Sequence, residues 1–164
     1  MVAENDDSYM RRAIDWAAKG EKDAGGGPIG CVIVLDGQII GEGYNEVFAR
    51  NDATAHAEIV SMRRAGERLG RPLFRGATLY STLQPCGMCT MASIWSNISR
   101  IVYGAERHQV HAMYFEDRHL DTMDFIRDAF RKNLRIEGGV LGDECTKLYY
   151  GPNDTPPAAE QTNV

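Results

Sequence analysis

Hydrophobic and polar positions alternate with two different periods along the first quarter of the chain. Residues 8–23 place apolar side chains at helical spacing, which predicts an opening helix. Two β-rich segments follow at 29–35 and 38–44, separated by an Asp-Gly dipeptide at 36–37. Because Asp-Gly favours the tight turns that join antiparallel strands, this region predicts a β-hairpin.

The remainder of the chain shows strand and helix patterns in alternation. A strand, a helix and a strand follow each other directly over 77–104, which predicts a parallel crossover unit. The predicted elements after the hairpin are a helix at 54–65, a strand at 77–83, a helix at 85–97, a strand at 100–105, a helix at 122–132, a strand at 134–141 and a helix at 142–150. We therefore expect one α/β domain over residues 1–151, with a mixed sheet, and a disordered tail at 152–164.

Composition is that of a globular protein. The 164 residues are 43% hydrophobic and 25% charged, and no apolar run approaches the roughly 18 residues of a membrane span. The N-terminal segment lacks the apolar core of a signal peptide, so we expect a cytoplasmic protein. A chain of this length can bury a hydrophobic core without disulfides, and it does not need a metal ion to stabilise the fold.

Charge and cysteine spacing narrow the candidate chemistry. The net charge is −5 and the basic residues are scattered, whereas nucleic-acid binders usually present a basic face, so we do not expect a nucleic-acid partner. Of the four cysteines, only Cys86 and Cys89 are close in sequence. In a cytosolic chain such a pair is more often metal-binding or catalytic than a disulfide.

Three residues at the starts of two predicted helices have the chemistry of zinc ligands. Cys86 and Cys89 lie at the beginning of the helix at 85–97, where the positive helix end favours the metal-binding thiolates. His56 lies at the beginning of the helix at 54–65. Two thiolates and a neutral imidazole balance the charge of Zn²⁺ and leave the fourth tetrahedral position for water, as in catalytic zinc sites.

Glu58 follows His56 by two residues and could act on that water. If the two helix starts face each other, Glu58 lies beside the open position, where a carboxylate can take a proton and return it. A structural zinc with a fourth ligand from Cys31, Cys145 or a late histidine is one alternative, although both cysteines have the setting of core residues. A thioredoxin-like redox pair in "CGMC" and a chance surface pair are others.

"HAE" followed by "PCGMC" matches the H-x-E and P-C-x-x-C signature of zinc-dependent nucleobase deaminases. Over roughly residues 8–150 the chain resembles the cytidine deaminase superfamily, and within it the branch of guanine, cytosine and tRNA adenosine deaminases. The segments that carry the resemblance are "GGGPIGCVIV", "GEGYN", "DATAHAEI", "LYSTLQPCGMC" and "RIVYGAE". The resemblance implies a three-layer α/β/α sandwich around a five-stranded mixed sheet and a homodimer or larger assembly. It also implies one zinc with a bound water or hydroxide, held by His56, Cys86 and Cys89.

The same resemblance implies roles for two further residues near the metal. Glu58 would be the proton shuttle, and Asn45 would hydrogen-bond the base through an amide that offers both a donor and an acceptor. We expect Ile29 and Ala57 to line the substrate pocket with Asn45, since a small Ala57 lets the helix start approach a flat ring.

Two features resemble guanine deaminases in particular. Trp95, six residues after Cys89, would line the base, and Asp117 in "YFED" would be a second acid that handles the exocyclic amine. Glu116 could hold that role instead of Asp117. Guanine deaminases often close the site with a C-terminal aromatic segment, for which this chain offers "YY" at 149–150.

The predicted activity is hydrolytic deamination of a small aminated nucleobase or related ring. Guanine is the favoured substrate, and isoguanine, cytosine or an aminotriazine stay open. The main alternative is a tRNA adenosine deaminase, against which the acidic composition argues, because phosphate contacts dominate nucleic-acid affinity. A non-catalytic zinc module is a third reading, but it would have no need of Glu58.

Overall fold

A five-stranded mixed sheet organises the fold in the computed structural model, which describes residues 4–23, 26–115, 122–128 and 133–158. The strands are β1 Gly27–Leu35, β2 Gln38–Asn45, β3 Thr78–Leu83, β4 Arg100–Ala105 and β5 Arg135–Glu137. The helices are α1 Glu4–Lys22, α2 Val47–Arg50, α3 Ala57–Leu69, α4 Gly87–Trp95, α5 Thr122–Asp128 and α6 Gly142–Thr146. None of these helices is both long and apolar enough to cross a membrane.

The sheet has the order β2-β1-β3-β4-β5 and changes from antiparallel to parallel within it. β1 is antiparallel to both β2 and β3, and β3, β4 and β5 are parallel to one another. Asp36 and Gly37 both have positive φ (51° and 75°), the conformation of the tight hairpin turn that their sequence predicts. The predicted hairpin and the predicted β3-α4-β4 crossover are both confirmed.

Helices cover both faces of the sheet. Val32 and Val34 of β1 pack in one buried cluster with residues of α1 and α6. Ile33 of β1 lies between them in sequence and packs in a second buried cluster with α3. Because successive strand residues point to opposite faces, the two clusters lie on opposite sides of the sheet. The predicted three-layer α/β/α architecture is confirmed.

Several element boundaries differ from the prediction. α3 begins at Ala57 rather than residue 54, because the side chain of Asp52 accepts hydrogen bonds from the backbone and hydroxyl of Thr54 and holds that segment in a turn. α2 was not predicted, since four residues are too few to show a helical period. α6 ends at Thr146, four residues earlier than expected.

The structure describes only part of the C-terminal segment for which elements were predicted. Residues 129–132 of the helix predicted at 122–132 lie outside the described residues, as do residues 159–164 of the tail. Pro156 is buried against the domain. Disorder of the tail stays a prediction.

An ion-pair network fixes the start of α1 to the parallel half of the sheet. Asp6 is 1% exposed and accepts two hydrogen bonds from Arg100, at 2.9 and 2.8 Å, and one from the Tyr80 hydroxyl at 2.7 Å. Arg100 also donates to Glu137 of β5. The network therefore joins α1, β3, β4 and β5 through one buried carboxylate.

Asp6→Ala should lower the free energy of unfolding by about 2 to 4 kcal/mol, because it leaves the buried Tyr80 hydroxyl without its acceptor and takes from the partly buried Arg100 one of its two carboxylate partners. Urea unfolding followed by circular dichroism measures the change. Arg11→Ala is the matched control, since its pair with Glu144 is exposed on both sides and is worth about 0 to 1 kcal/mol. Equal losses from the two variants would contradict the importance of the network.

Candidate active site

The N-termini of α3 and α4 meet, and each supplies a side chain that does not cap its own helix. His56 and Cys86 occupy the two N-cap positions with extended backbone (ψ 156° and 175°). An N-cap side chain normally accepts a backbone N–H of the first turn, but neither of these does so. Instead, Nδ1 of His56 lies 3.6 Å from Sγ of Cys86 and 3.6 Å from Sγ of Cys89.

These three side chains fit a tetrahedral zinc ion. Their ligand atoms all lie within 4.8 Å of one another. Bond lengths of about 2.0 Å to nitrogen and about 2.3 Å to sulfur place tetrahedral ligands about 3.6 Å apart, the separation found here. Imidazole and thiolate are also the ligand types that zinc prefers. Three protein ligands leave one coordination position for water or substrate, which is the arrangement of a catalytic site.

The alternative metal and redox interpretations do not fit the described structure. Among the described residues the three-ligand cluster excludes Cys31, Cys145, His108 and His111, so none of these is a fourth ligand. The remaining late histidine, His119, lies outside the described residues. A redox interpretation of "CGMC" fails to explain why His56 is held against both thiols.

Hydrogen bonds and burial shift the pKa values of Cys86 and Cys89 in opposite directions. Hydrogen bonds from Cys89 and from His56 lower the pKa of Cys86 to about 4. Burial, followed by the hydrogen bond with Cys86, raises the pKa of Cys89 well above its usual value. The pair thus holds one thiolate at neutral pH, and metal binding would displace the proton of the second thiol.

Glu58 lies beside the ligand cluster without belonging to it. Its side chain is 4% exposed, and its Oε2 lies 3.4 Å from Sγ of Cys89. Its Oε1 accepts a hydrogen bond of 3.2 Å from the Ser81 hydroxyl. Burial raises the pKa of Glu58, and the negative charge of Cys86 raises it further. A carboxyl group with a raised pKa, next to an open metal position, is suited to take and return protons.

A cavity of about 660 Å³ is lined by two of the predicted substrate-binding residues, Asn45 and Ile29, and not by the three ligands or Glu58. The backbone N–H of Glu46, which follows Asn45, donates to the carbonyl of Ala55, which precedes His56. The cavity wall is therefore tied to the segment that carries the metal ligand. Its other lining residues are Glu21, Gly26, Gly27, Pro28, Phe48, Met113, Tyr114, Lys147, Leu148, Tyr149 and Tyr150.

Asn45 presents a donor to the cavity. Its Oδ1 already accepts a hydrogen bond of 3.0 Å from the backbone N–H of Val47. Within the part of the chain that the structure describes, its Nδ2 makes no hydrogen bond. Because an amide oxygen can accept two hydrogen bonds, Asn45 still offers an acceptor as well as a donor, and the role of both ends toward a ring stays a prediction.

The other predicted site residues have different positions. Ala57 is fully buried between His56 and Glu58 and is not part of the cavity wall. Trp95 is 77% exposed at the end of α4 and does not line the cavity of its own chain. Asp117 and its alternative Glu116 lie outside the described residues.

The sequence alone did not indicate two residues of the site, Ser81 and Tyr114. Ser81 contacts Glu58, and its signal was a polar residue within a strand expected to be buried on both faces. Tyr114 and Tyr149 stack edge to face with ring centroids 5.1 Å apart on the cavity wall. The resemblance offered Tyr149 only as a residue available to close the site, and Tyr114 had no local signal.

The purified protein should contain one zinc per chain, and Cys86→Ser should lose most of it, because a neutral hydroxyl is a poor replacement for a thiolate. Plasma emission spectroscopy after dialysis measures the metal content. Cys145→Ser is the matched control, since Cys145 is an equally buried free thiol outside the cluster and its loss should leave zinc unchanged. Full zinc in Cys86→Ser would refute the assignment of this ligand.

Comparison with known proteins agrees with this geometry. Residues 3–105 match the family model of the cytidine and deoxycytidylate deaminase zinc-binding region. The chain is 36% identical to the tRNA-specific adenosine deaminase of Buchnera aphidicola, covering 90% of this chain and 93% of that protein. It is 39% identical to the guanine deaminase of Bacillus subtilis, covering 69% of this chain and 72% of that protein. A solved structure from a study of A-to-I editing by tRNA:A34 deaminases superimposes with a TM-score of 0.73 at 32% identity, covering 86% of this chain and 98% of the other. The chain therefore belongs to the cytidine and deoxycytidylate deaminase family of zinc-dependent enzymes.

Proposed function

We propose that this deaminase hydrolyses the exocyclic amino group of a small aminated ring, with guanine as the favoured substrate. The observation that carries the proposal is the position of Glu58, which is buried beside the three metal ligands and is not one of them. A zinc-binding module that only recruits a partner has no use for a buried acid there. The cavity that Asn45 and Ile29 line supplies the space for a ring.

The roles of the side chains follow from this arrangement. When bound by His56, Cys86 and Cys89, zinc supplies a Lewis acid that activates water for attack at neutral pH. Glu58 takes a proton from the attacking water, gives it to the neighbouring ring nitrogen, and transfers the second proton to the departing amine. The water oxygen becomes the new ring carbonyl and ammonia leaves. Asn45 orients the ring by donating from Nδ2 to a ring acceptor.

Several observations support a small substrate. Within the described part of the chain, the charged residues of the cavity wall are Glu21 and Lys147, so that part of the wall offers no positive stripe for a phosphate backbone. The net charge of −5 points the same way. The similarity to the guanine deaminase of Bacillus subtilis supports a purine, and isoguanine, cytosine and an aminotriazine are the related rings to be compared.

A tRNA adenosine deaminase is the second candidate. It is supported by the relative in Buchnera aphidicola that bears this name and matches 90% of the chain. Such a substrate would enter as a base exposed from RNA, so its phosphates would need contacts outside the cavity.

Ammonia release should be saturable on free aminated rings and highest on guanine. The panel comprises guanine, isoguanine, cytosine, adenine and an aminotriazine, with their nucleosides and tRNA. Glu58→Gln is the control, and it should keep its zinc while turnover falls about 10²- to 10⁴-fold, the usual contribution of a general acid-base group. Turnover on tRNA alone would favour the second candidate, and full activity of Glu58→Gln would overturn the mechanism.

We also propose that the protein forms a homodimer through an apolar surface at α4, here called the α4 face, formed by Met91, Trp95 and Leu73. Met91 and Trp95 are one helical turn apart and are 37% and 77% exposed, and Leu73 is 45% exposed. The backbone bond from Phe74 to Ser96 brings Leu73 beside the end of α4. Clustered exposed apolar side chains of this size usually mark an interface. Trp95 would then act at the interface rather than in the cavity of its own chain.

Trp95→Ser should convert the dimer to a monomer in sedimentation velocity, because it removes the largest apolar side chain of the α4 face. Phe48→Ser is the matched control, since Phe48 is an exposed aromatic residue (59%) at the cavity rather than on the α4 face. A monomeric parent protein, or equal dissociation by both variants, would contradict this interface.

A further inference from the structure

Ser81 lies at the centre of the sheet and makes a side-chain hydrogen bond that joins the sheet to Glu58. It belongs to β3, and its register partners are Cys31 on β1 and Tyr103 on β4. Its side chain is fully buried. A buried hydroxyl needs an acceptor, and within the described residues Ser81 finds it in Oε1 of Glu58, at 3.2 Å.

The two carboxyl oxygens of Glu58 therefore have different surroundings. Oε1 accepts a hydrogen bond from the Ser81 hydroxyl on the sheet side, and Oε2 accepts one from the Cys89 thiol in the ligand cluster. A cysteine loses its thiol proton when it binds a metal ion, so the hydrogen bond to Oε2 is then lost while the one from Ser81 stays. Rotation about the last side-chain bond of a glutamate is soft, and the Ser81 hydrogen bond restricts this rotation.

We propose that Ser81 is a positioning residue that reserves Oε1 of Glu58 as an acceptor and so directs the transferred proton to Oε2. This inference rests on the proposed role of Glu58 as the proton shuttle. While Oε1 accepts from Ser81, the proton that Glu58 gains resides on the oxygen that faces the ligand cluster and the reacting groups. The hydroxyl itself keeps its own proton throughout and exchanges nothing with the substrate.

The position of Ser81 separates this role from metal binding. Ser81 does not belong to the three-ligand cluster and does not line the cavity. Loss of its hydroxyl should therefore change the chemical step while leaving metal affinity and substrate binding nearly intact. A merely structural residue at the centre of the sheet would disturb all three together.

Ser81→Ala should lower kcat about 10- to 100-fold, the rate equivalent of a hydrogen bond to a charged group, and change KM by no more than about threefold. Zinc content should stay at the parent level. Ser61→Ala is the matched control, because Ser61 is an equally buried serine on α3 whose hydroxyl donates to the carbonyl of Cys31 rather than to Glu58. Its kcat should stay within about twofold of the parent, as expected for a hydroxyl that does not touch the reacting groups.

An infrared measurement tests the hydrogen bond independently of turnover. The difference spectrum between the zinc-loaded parent and Ser81→Ala should show a shifted carboxylate band, and the shift should vanish when both proteins also carry Glu58→Gln. The infrared shift tests the hydrogen bond between Ser81 and Glu58 even where the substrate panel finds no deaminase activity.

The proposal is overturned by an unshifted band, by a kcat of Ser81→Ala within about twofold of the parent, or by an equal loss in Ser61→Ala. Loss of zinc from Ser81→Ala would also overturn it, because the residue would then support the metal site. Should Ser81→Ala fail to fold, Ser81→Thr and Ser81→Val replace it as a pair of equal size. Activity with Thr and not with Val supports the proposal, and equal activity overturns it.

Discussion

The meeting of two helix N-termini over the sheet is the constraint on which the site depends. β3 leads almost directly into α4, so Cys86 and Cys89 are carried to the end of a central strand. α3 packs on the same side and carries His56 to the same point. Each helix contributes the positive end of its dipole, which favours thiolate and carboxylate groups that would otherwise repel one another. The positive ends of the two helix dipoles offset part of the negative charge of these side chains even before a metal ion binds.

Burial of Glu58 follows from the same arrangement and sets its acidity. A carboxylate that is 4% exposed is costly unless hydrogen bonds or nearby positive charge stabilise it. Here the start of α3 and the hydroxyl of Ser81 supply part of that stabilisation, and burial still raises the pKa. The result is a buried acid that, among the described residues, lies outside the three-ligand cluster, and its raised pKa is the property that the proposed proton shuttle uses.

The sequence predicted the reaction centre better than its surroundings, for physical reasons. The two motifs are local, and helix starts and β-rich runs are visible in a few residues, so the elements that carry His56 and Cys86 could be placed in advance. Of the cavity wall, Asn45 and Ile29 were predicted through the resemblance, whereas Tyr114 was not, because it is distant in sequence and joins the wall only through tertiary packing. The exposure of Trp95 could not be predicted either, because the helical pattern of α4 does not show which face of the helix the rest of the protein covers.

The metal site and the variable part of the cavity wall come from different segments of the chain, which explains how one reaction centre can serve different substrates within a family. The ligands and Glu58 lie at the starts of helices that pack on the sheet, where a change of position would disrupt the core. The cavity wall is formed by residues of α1, β1, β2 and α2 and of the segments after β4 and β5. The segments after β4 and β5 contribute Tyr114 and Tyr149, and they are irregular, so they are the part of the wall that can change without moving the metal site. This chain is similar both to a guanine deaminase and to a tRNA-specific adenosine deaminase, and a wall that changes independently of the metal site is one physical basis for such a difference in substrate.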